Sequence, residues 1–335
     1  MIKEATKTII EGNDLSYETA ENVMDEIMSG EASQMLTASY LTALRMKGES
    51  IDEISASAAV MRKHAEQLPH DTDLLEIVGT GGDEAGTFNI STTSSFVVSA
   101  AGIPVAKHGN RSVSSKCGAA DVLEAAGINI NITPEKSADI LKEIGICFMF
   151  AQKYHTAMKY VAPVRKELGY RTLFNILGPL TNPASATYQL LGVYDESLVE
   201  PLANVLIKLG IKKGMVVYGQ DKLDEISLSA NTTCCKIQDG KLTSFILNPE
   251  DYGFKKCSKD ALVGGGPAEN AAILKNILSG SEKGAKRDAV ILNSAACISM
   301  IKDISMEDAV VEANQMIDSG KALEQLNKFI ELSNK

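Results

Sequence analysis

The residues with the most chemical content fall between positions 77 and 116. Gly79-Thr80-Gly81-Gly82-Asp83 follows the apolar residues Leu74, Leu75, Ile77 and Val78. Its glycines let the backbone approach a ligand closely and turn N–H groups toward it. Thr87 and then Asn89-Ile90-Ser91-Thr92-Thr93 lead into Phe96, Val97, Val98 and Ala101, the pattern of a helix. The first-turn amides and hydroxyls of such a helix make a phosphate site. A second apolar run at 103–106 ends in Lys107-His108-Gly109-Asn110-Arg111, followed by Ser112, Val113, Ser114 and Ser115. Strand, glycine loop, helix, strand and basic loop together describe a cradle for a phosphate-rich small molecule. Taken singly, GTGGD is better explained as a tight turn, and it is neither a Walker A loop nor G-x-G-x-x-G. Further on, Asp224 and Glu225 follow an apolar run at 215–218. Adjacent acids at the C-terminal end of a parallel strand stand where open α/β sheets bind ligands.

The elements that must position these residues form two blocks. Residues 1–70 read as all helix, with three helices expected. Ser16 caps one carrying Val23, Met24, Ile27 and Met28, and a second holds Leu36, Leu41 and Leu44 and stops before Gly48. Ser50-Ile51-Asp52-Glu53 is a capping box opening the third. Such short helices carry more apolar surface than they can hide among themselves, so part of it must meet the rest of the chain or a second subunit. His64 and His70 read as solvated. From 73 onward strands alternate with helices, the mark of an α/β fold with a mainly parallel sheet. Thr133-Pro134 opens a helix that stops at Gly145, and 146–151 is a buried strand. Residues 152–171 read as a solvated helical connector carrying His155, Lys159, Arg165, Lys166 and Arg171. Strands are expected at 188–194 and 215–218 around a helix at 197–209, and a hairpin turns at Asp239-Gly240. Gly264-Gly265-Gly266-Pro267 reads as a flexible turn before a helix, and 289–292 as a further strand. The division is therefore a helical domain at 1–70, completed by part of 155–190, and an α/β domain at 73–335.

Taken together, GTGGD, the NIST segment, KHGNRSVSSKCGAAD, Arg165, NILGPLTNP and DKLDE resemble the anthranilate phosphoribosyltransferases over most of the chain. The resemblance implies transfer of the phosphoribosyl group of 5-phosphoribosyl 1-diphosphate to the amine of anthranilate, in tryptophan biosynthesis. It implies that Gly79, Gly82, Asp83, Thr87, Asn89, Ile90, Ser91, Thr92 and the run from Lys107 to Ser115 hold the phosphoribosyl diphosphate. Within that run it includes His108, Gly109, Asn110, Arg111, Ser112, Val113 and Ser114. Gly79, Asn110 and Arg165 would face the anthranilate, and Asp224, Glu225 and Ser91 would hold Mg2+. His108 would orient the acceptor amine rather than act as a base. Ala119 stands where the family often has Ser, which puts that contact in question. A homodimer through the helical domain is also implied.

Composition narrows the alternatives. With 33 Lys and Arg against 43 Asp and Glu, the net charge of -10 argues against nucleic acid as the main partner. No apolar run approaches the ~20 residues of a membrane span. The charged N-terminus does not read as a signal peptide, so a cytoplasmic protein is expected. The six cysteines include no C-x-x-C pair and read as reduced, Cys147 as core and Cys117 as a packing residue. The rival readings are a pyrimidine-nucleoside phosphorylase, which shares the architecture and a Lys-His-Gly element, and a non-catalytic nucleic-acid-binding paralogue. The Asn110-Arg111 and Asp224-Glu225 pairs favour the transferase.

Overall fold

The computed structural model describes residues 1–112 and 115–335. Helices α1 (Ile2–Ile10), α2 (Tyr17–Met28), α3 (Gln34–Lys47) and α4 (Ile51–Lys63) open the chain. Ser16, Ser33 and Ser50 each accept a first-turn amide, and Ser50 and Glu53 form a reciprocal capping box. The sequence reading missed α1, which has no side-chain cap but buries Ile2, Ala5, Thr6 and Ile9 along one face. His64 is not free in solvent either, because its Nε2 lies 2.7 Å from Asp25 Oδ1.

A seven-stranded sheet follows, in the order β3-β2-β1-β4-β5-β6-β7. In chain order it runs β1 (Leu75–Gly79), α5 (Ile90–Ala100), β2 (Val105–Gly109), α6 (Ala119–Ala126), α7 (Pro134–Ile144) and β3 (Ile146–Phe150). The connector holds α8 (Ala151–Tyr154), α9 (Ala162–Leu168) and α10 (Phe174–Leu177), and the chain then returns through β4 (Tyr188–Gly192), α11 (Val199–Lys208) and β5 (Lys213–Gly219). These five strands are parallel. The hairpin β6 (Thr232–Gln238) and β7 (Lys241–Leu247) adds antiparallel pairs, turning at Asp239 and Gly240 with φ of 52° and 71°. Helices α12 (Pro267–Leu278), α13 (Ala285–Lys302), α14 (Met306–Asp318) and α15 (Lys321–Ser333) close the chain.

Two expectations fail here for physical reasons. Residues 289–292 lie inside α13, not in a strand, and α13 is buried at every position from Ala289 to Ile298. A helix wrapped by core on all sides gives the same short apolar run as a buried strand. The connector is not solvated throughout, since Ala157, Val161, Val164, Leu173 and Phe174 join the core of the helical bundle. That core continues through α11 onto one face of β4 and β5, while α5 and α12–α15 cover the other face of the sheet. Among the described residues, no single helix is long and apolar enough to cross a membrane.

Candidate active site

The order in which strands are added reverses at β1: β2 and β3 lie to one side, β4 and β5 to the other. Open sheets bind ligands at such a switch point, beyond the strand C-termini. Asp224 sits there, buried at 9% exposure, above the last residues of β1 and β4. A Cβ at Gly79 would run into the Asp224 carboxylate, and one at Gly192 into the Asp224 main-chain oxygen. Gly192→Ala therefore meets backbone that cannot swing aside. We expect turnover to fall about a hundredfold from the displaced acid, with circular dichroism unchanged, measured by steady-state kinetics.

Gly81 and Gly82 adopt φ of 71° and 76°, left-handed backbone that favours glycine. The Gly81 N–H donates to Asp224 Oδ2 at 2.6 Å, and the Ser91 N–H, in the first turn of α5, donates to Glu225 Oε1 at 3.1 Å. Amides expected to cradle phosphate are thus shared with the protein's own acids. Asp83 turns one oxygen to the Ala85 N–H at 3.1 Å, and its other oxygen is buried without a partner. Burial, then Asp83 and Glu225, push the Asp224 carboxyl well above the usual carboxylate range. Burial likewise pushes Glu225 up to about 7, against the pull of Lys107 and the Ser91 N–H.

Lys107 is only 4% exposed. Its Nζ donates to the Ile77 carbonyl at 2.6 Å and to Ser91 Oγ at 3.3 Å. Burial lowers its pKa, opposed by Glu76, Glu225 and Asp224. Asn89 is committed elsewhere: its amide donates to the Cys117 carbonyl, and its oxygen accepts from Asn270. Thr92 is buried, and Ile90 belongs to the core. Thr87 forms an isolated bridge with Val263, and the Gly264 N–H donates to the Gly86 carbonyl at 3.0 Å. Gly264 is therefore packed against the 86–88 segment, while Gly266 and Pro267 open α12 as expected. A Cβ at Gly264 would strike the backbone of Phe88.

The basic loop is organised by a residue the sequence reading passed over. Asp121 accepts the N–H groups of Ser112 and Gly118, each at 2.9 Å, and Arg111 Nη1 at 3.0 Å. Arg111 also pairs with Glu124 and covers the Phe150 ring, so it faces α6 rather than the acid pair. Asn110 is exposed, and Ser112 and Ser115 hydrogen-bond each other. Val113 and Ser114 lie outside the described residues. Ala119 would touch a Cβ placed on Gly109, so the small side chain packs under the strand end.

Across the sheet from Lys107, His108 and His155 stand with ring centroids 4.9 Å apart, each 6% exposed. His155 is thus buried, contrary to the solvated reading, and neither of its ring nitrogens has a partner. Burial lowers His155 to about 4, and burial together with His155 takes His108 well below its usual range. Both rings are neutral at pH 7. A histidine just past the C-terminal end of a parallel strand was the signal available for His155. Arg165 is half-buried, with its Cζ 5.7 Å from the Phe174 ring centroid, and among the described residues no carboxylate pairs with it. Arg171 is no solvated charge: it donates to the Gly82 carbonyl at 2.5 Å and lies 4.2 Å over the Tyr194 ring.

Residues 3–65 match the family described as "Glycosyl transferase family, helical bundle domain", and residues 71–323 match its "a/b domain". Anthranilate phosphoribosyltransferase of Lachnoclostridium phytofermentans is 70% identical over 100% of both chains, and that of Methanobrevibacter smithii 62% over 100% of both. The crystal structure of anthranilate phosphoribosyltransferase from Thermus thermophilus superposes with a TM-score of 0.93 at 42% identity, covering 99% of each chain. The Saccharomyces cerevisiae enzyme in complex with PRPP and Mg gives 0.91 at 28% identity, covering 99% of this chain and 98% of that one. With both domains matched in order and full-length relatives at this identity, the chain belongs to the glycosyl transferase family, among the anthranilate phosphoribosyltransferases.

Proposed function

We propose that this protein transfers the phosphoribosyl group of 5-phosphoribosyl 1-diphosphate to the amine of anthranilate, and that the crevice above β1, β2 and β4 is where it does so. The observation that carries the reading is the division of that crevice. Buried acids and glycine-loop amides occupy one side and two neutral imidazoles the other, and the Arg165 guanidinium, over Phe174, has no carboxylate partner among the described residues. The diphosphate and 5-phosphate belong to the first side, with Gly79, Gly82, Asp83, Ser91 and Lys107. Anthranilate belongs to the second, with Asn110 beside the strand end and Arg165 facing its carboxylate.

Magnesium fits the residues present. Among the described residues no three acidic, Cys or His groups converge into a ready metal cage. Magnesium commonly binds through one or two carboxylates plus substrate phosphates, which is the donor set that Asp224 and Glu225 offer with the Ser91 hydroxyl nearby. The unpartnered Asp83 oxygen adds a further hard donor. When bound, the ion would neutralise charge on the departing diphosphate.

In the reaction the bond between the anomeric carbon and the diphosphate oxygen breaks, its electron pair leaving with diphosphate. The amine nitrogen supplies the pair for the new C–N bond and releases a proton. An aromatic amine is already a neutral nucleophile, so positioning and charge stabilisation supply most of the rate. A neutral His108 accepts the amine N–H as a hydrogen bond without placing positive charge beside a cation-like ribose. Loss of anthranilate fluorescence on mixing with phosphoribosyl diphosphate and magnesium tests the reading, and an unchanged signal contradicts it.

We also propose a homodimer through the helical domain, supported by Ile10, Met35 and Met46, which are 71%, 83% and 84% exposed on it. Sedimentation at micromolar concentration should give twice the chain mass of 35.8 kDa. A single 35.8 kDa species contradicts it.

A further inference from the structure

Strands β1 and β2 are parallel neighbours, yet their ladder registers only at Leu75 and Val105. On their outer sides β1 stays paired with β4, and β2 with β3, along all five residues. The sheet is therefore split between β1 and β2 toward their C-terminal ends. Backbone groups left by such a split need other partners when buried. Three side chains supply them. His108 N–H donates to both oxygens of Glu76, at 3.0 and 3.2 Å. The Ala106 carbonyl accepts the Asn182 amide at 2.9 Å, and the Ile77 carbonyl accepts Lys107 Nζ at 2.6 Å. Asn182 also donates to Glu76 Oε2 and accepts the Ala184 N–H at 2.8 Å, so its amide cannot flip. Glu76 and Asn182 are each 1% exposed.

We propose that Glu76 is a positioning residue which, with Asn182, holds β1 and β2 apart and so sets the distance between the glycine loop and the His108–Asn110 loop. The inference rests on the transferase reading, in which those loops carry the two substrates. Glu76 is buried with its carboxylate on His108 and Asn182, so it acts through the strands. Without its carboxylate, the His108 N–H is free to zip onto Ile77, closing the strands to the usual spacing of about 4.8 Å and displacing Lys107. Burial pushes the Glu76 carboxyl up, while Lys107, Asn182 and the His108 N–H pull it back. A glutamine oxygen in the Oε2 position still accepts from both His108 and Asn182, giving up only the longer contact from His108 to Oε1.

Steady-state kinetics, both substrates varied, separate the possibilities in wild type, Glu76→Ala, Glu76→Gln and Asn182→Ala. Glu76→Ala should lower kcat about a hundredfold while each KM moves less than about threefold, because binding survives and alignment does not. Glu76→Gln should retain most of kcat. Asn182→Ala should lower kcat in the same way, and it decides the matter if Glu76→Ala does not fold. A fall in melting temperature with kcat unchanged would assign Glu76 a structural role and overturn the proposal. Equal losses in Glu76→Gln and Glu76→Ala would assign it a charge or a proton, which also overturns it. Absence of wild-type turnover in the same assay sinks the transferase reading and this inference with it. Wild-type turnover with unaffected variants sinks the inference alone.

Discussion

Replacing Asp224 and Glu225 together by Asn and Gln should lower turnover by at least about a thousandfold while leaving the fold intact. Amide oxygens in the same places still accept the Gly81 and Ser91 N–H groups, so the local hydrogen bonds survive. What is lost is negative charge for a divalent cation, together with the repulsion among Asp83, Asp224 and Glu225. The burial of these acids, with a smaller contribution from Asp83, has a second, independent readout. Glu225 rises from 4.5 to about 7 on folding, so the folded chain binds this proton more tightly than the unfolded one. Its penalty is absent below about 4.5 and grows as pH rises through about 7. In chelator, the wild type should therefore gain stability as pH falls across that window, and the double variant should gain less. Magnesium added at neutral pH should raise the melting temperature of the wild type only. Full activity of the double variant in limiting magnesium would remove the metal assignment.

Arg165→Ala and Lys107→Ala should separate the two substrates. The Arg165 guanidinium lies over Phe174 with no acid paired to it among the described residues, a charge-assisted fork suited to a ligand carboxylate. Such hydrogen bonds contribute ~1.5–3 kcal/mol, so its loss should raise KM for anthranilate roughly ten- to a hundredfold. KM for phosphoribosyl diphosphate should move little. Lys107 lies on the other face of the sheet, bonded to Ser91 and Ile77 and balancing Asp224 and Glu225. Its removal should raise KM for phosphoribosyl diphosphate more than that for anthranilate. Equal shifts of both constants in both variants mean that the crevice has been divided wrongly.

Much of this was legible in the residues because the signals are local. Capping at Ser16 and Ser50, the glycine loop at 79–83 and the hairpin at Asp239-Gly240 are each fixed by chemistry within a few positions. The failures share a different cause, since each depends on what packs against the segment. The apolar run at 289–292 is ambiguous until α13 is seen enclosed by core. His155 and Arg171 look solvated in a polar stretch, and only the fold brings them against His108 and Gly82. Arg111 stands beside Asn110 in the sequence, and only the fold shows Asp121 and Glu124 holding its side chain toward α6. Glu76 gave no signal, because one acid inside a strand has meaning only when the neighbouring ladder is seen to stop. The requirement for glycine at 192 likewise rests on Asp224, which is distant in sequence.

The central claim is tested most directly by following the products. The protein is incubated with anthranilate, phosphoribosyl diphosphate and magnesium, and the phosphoribosyl adduct of anthranilate and free diphosphate are quantified together. The account predicts that they form one to one, at a rate abolished in the Asp224→Asn, Glu225→Gln variant. Diphosphate released without adduct, or phosphorolysis of a pyrimidine nucleoside in place of transfer to anthranilate, would contradict it.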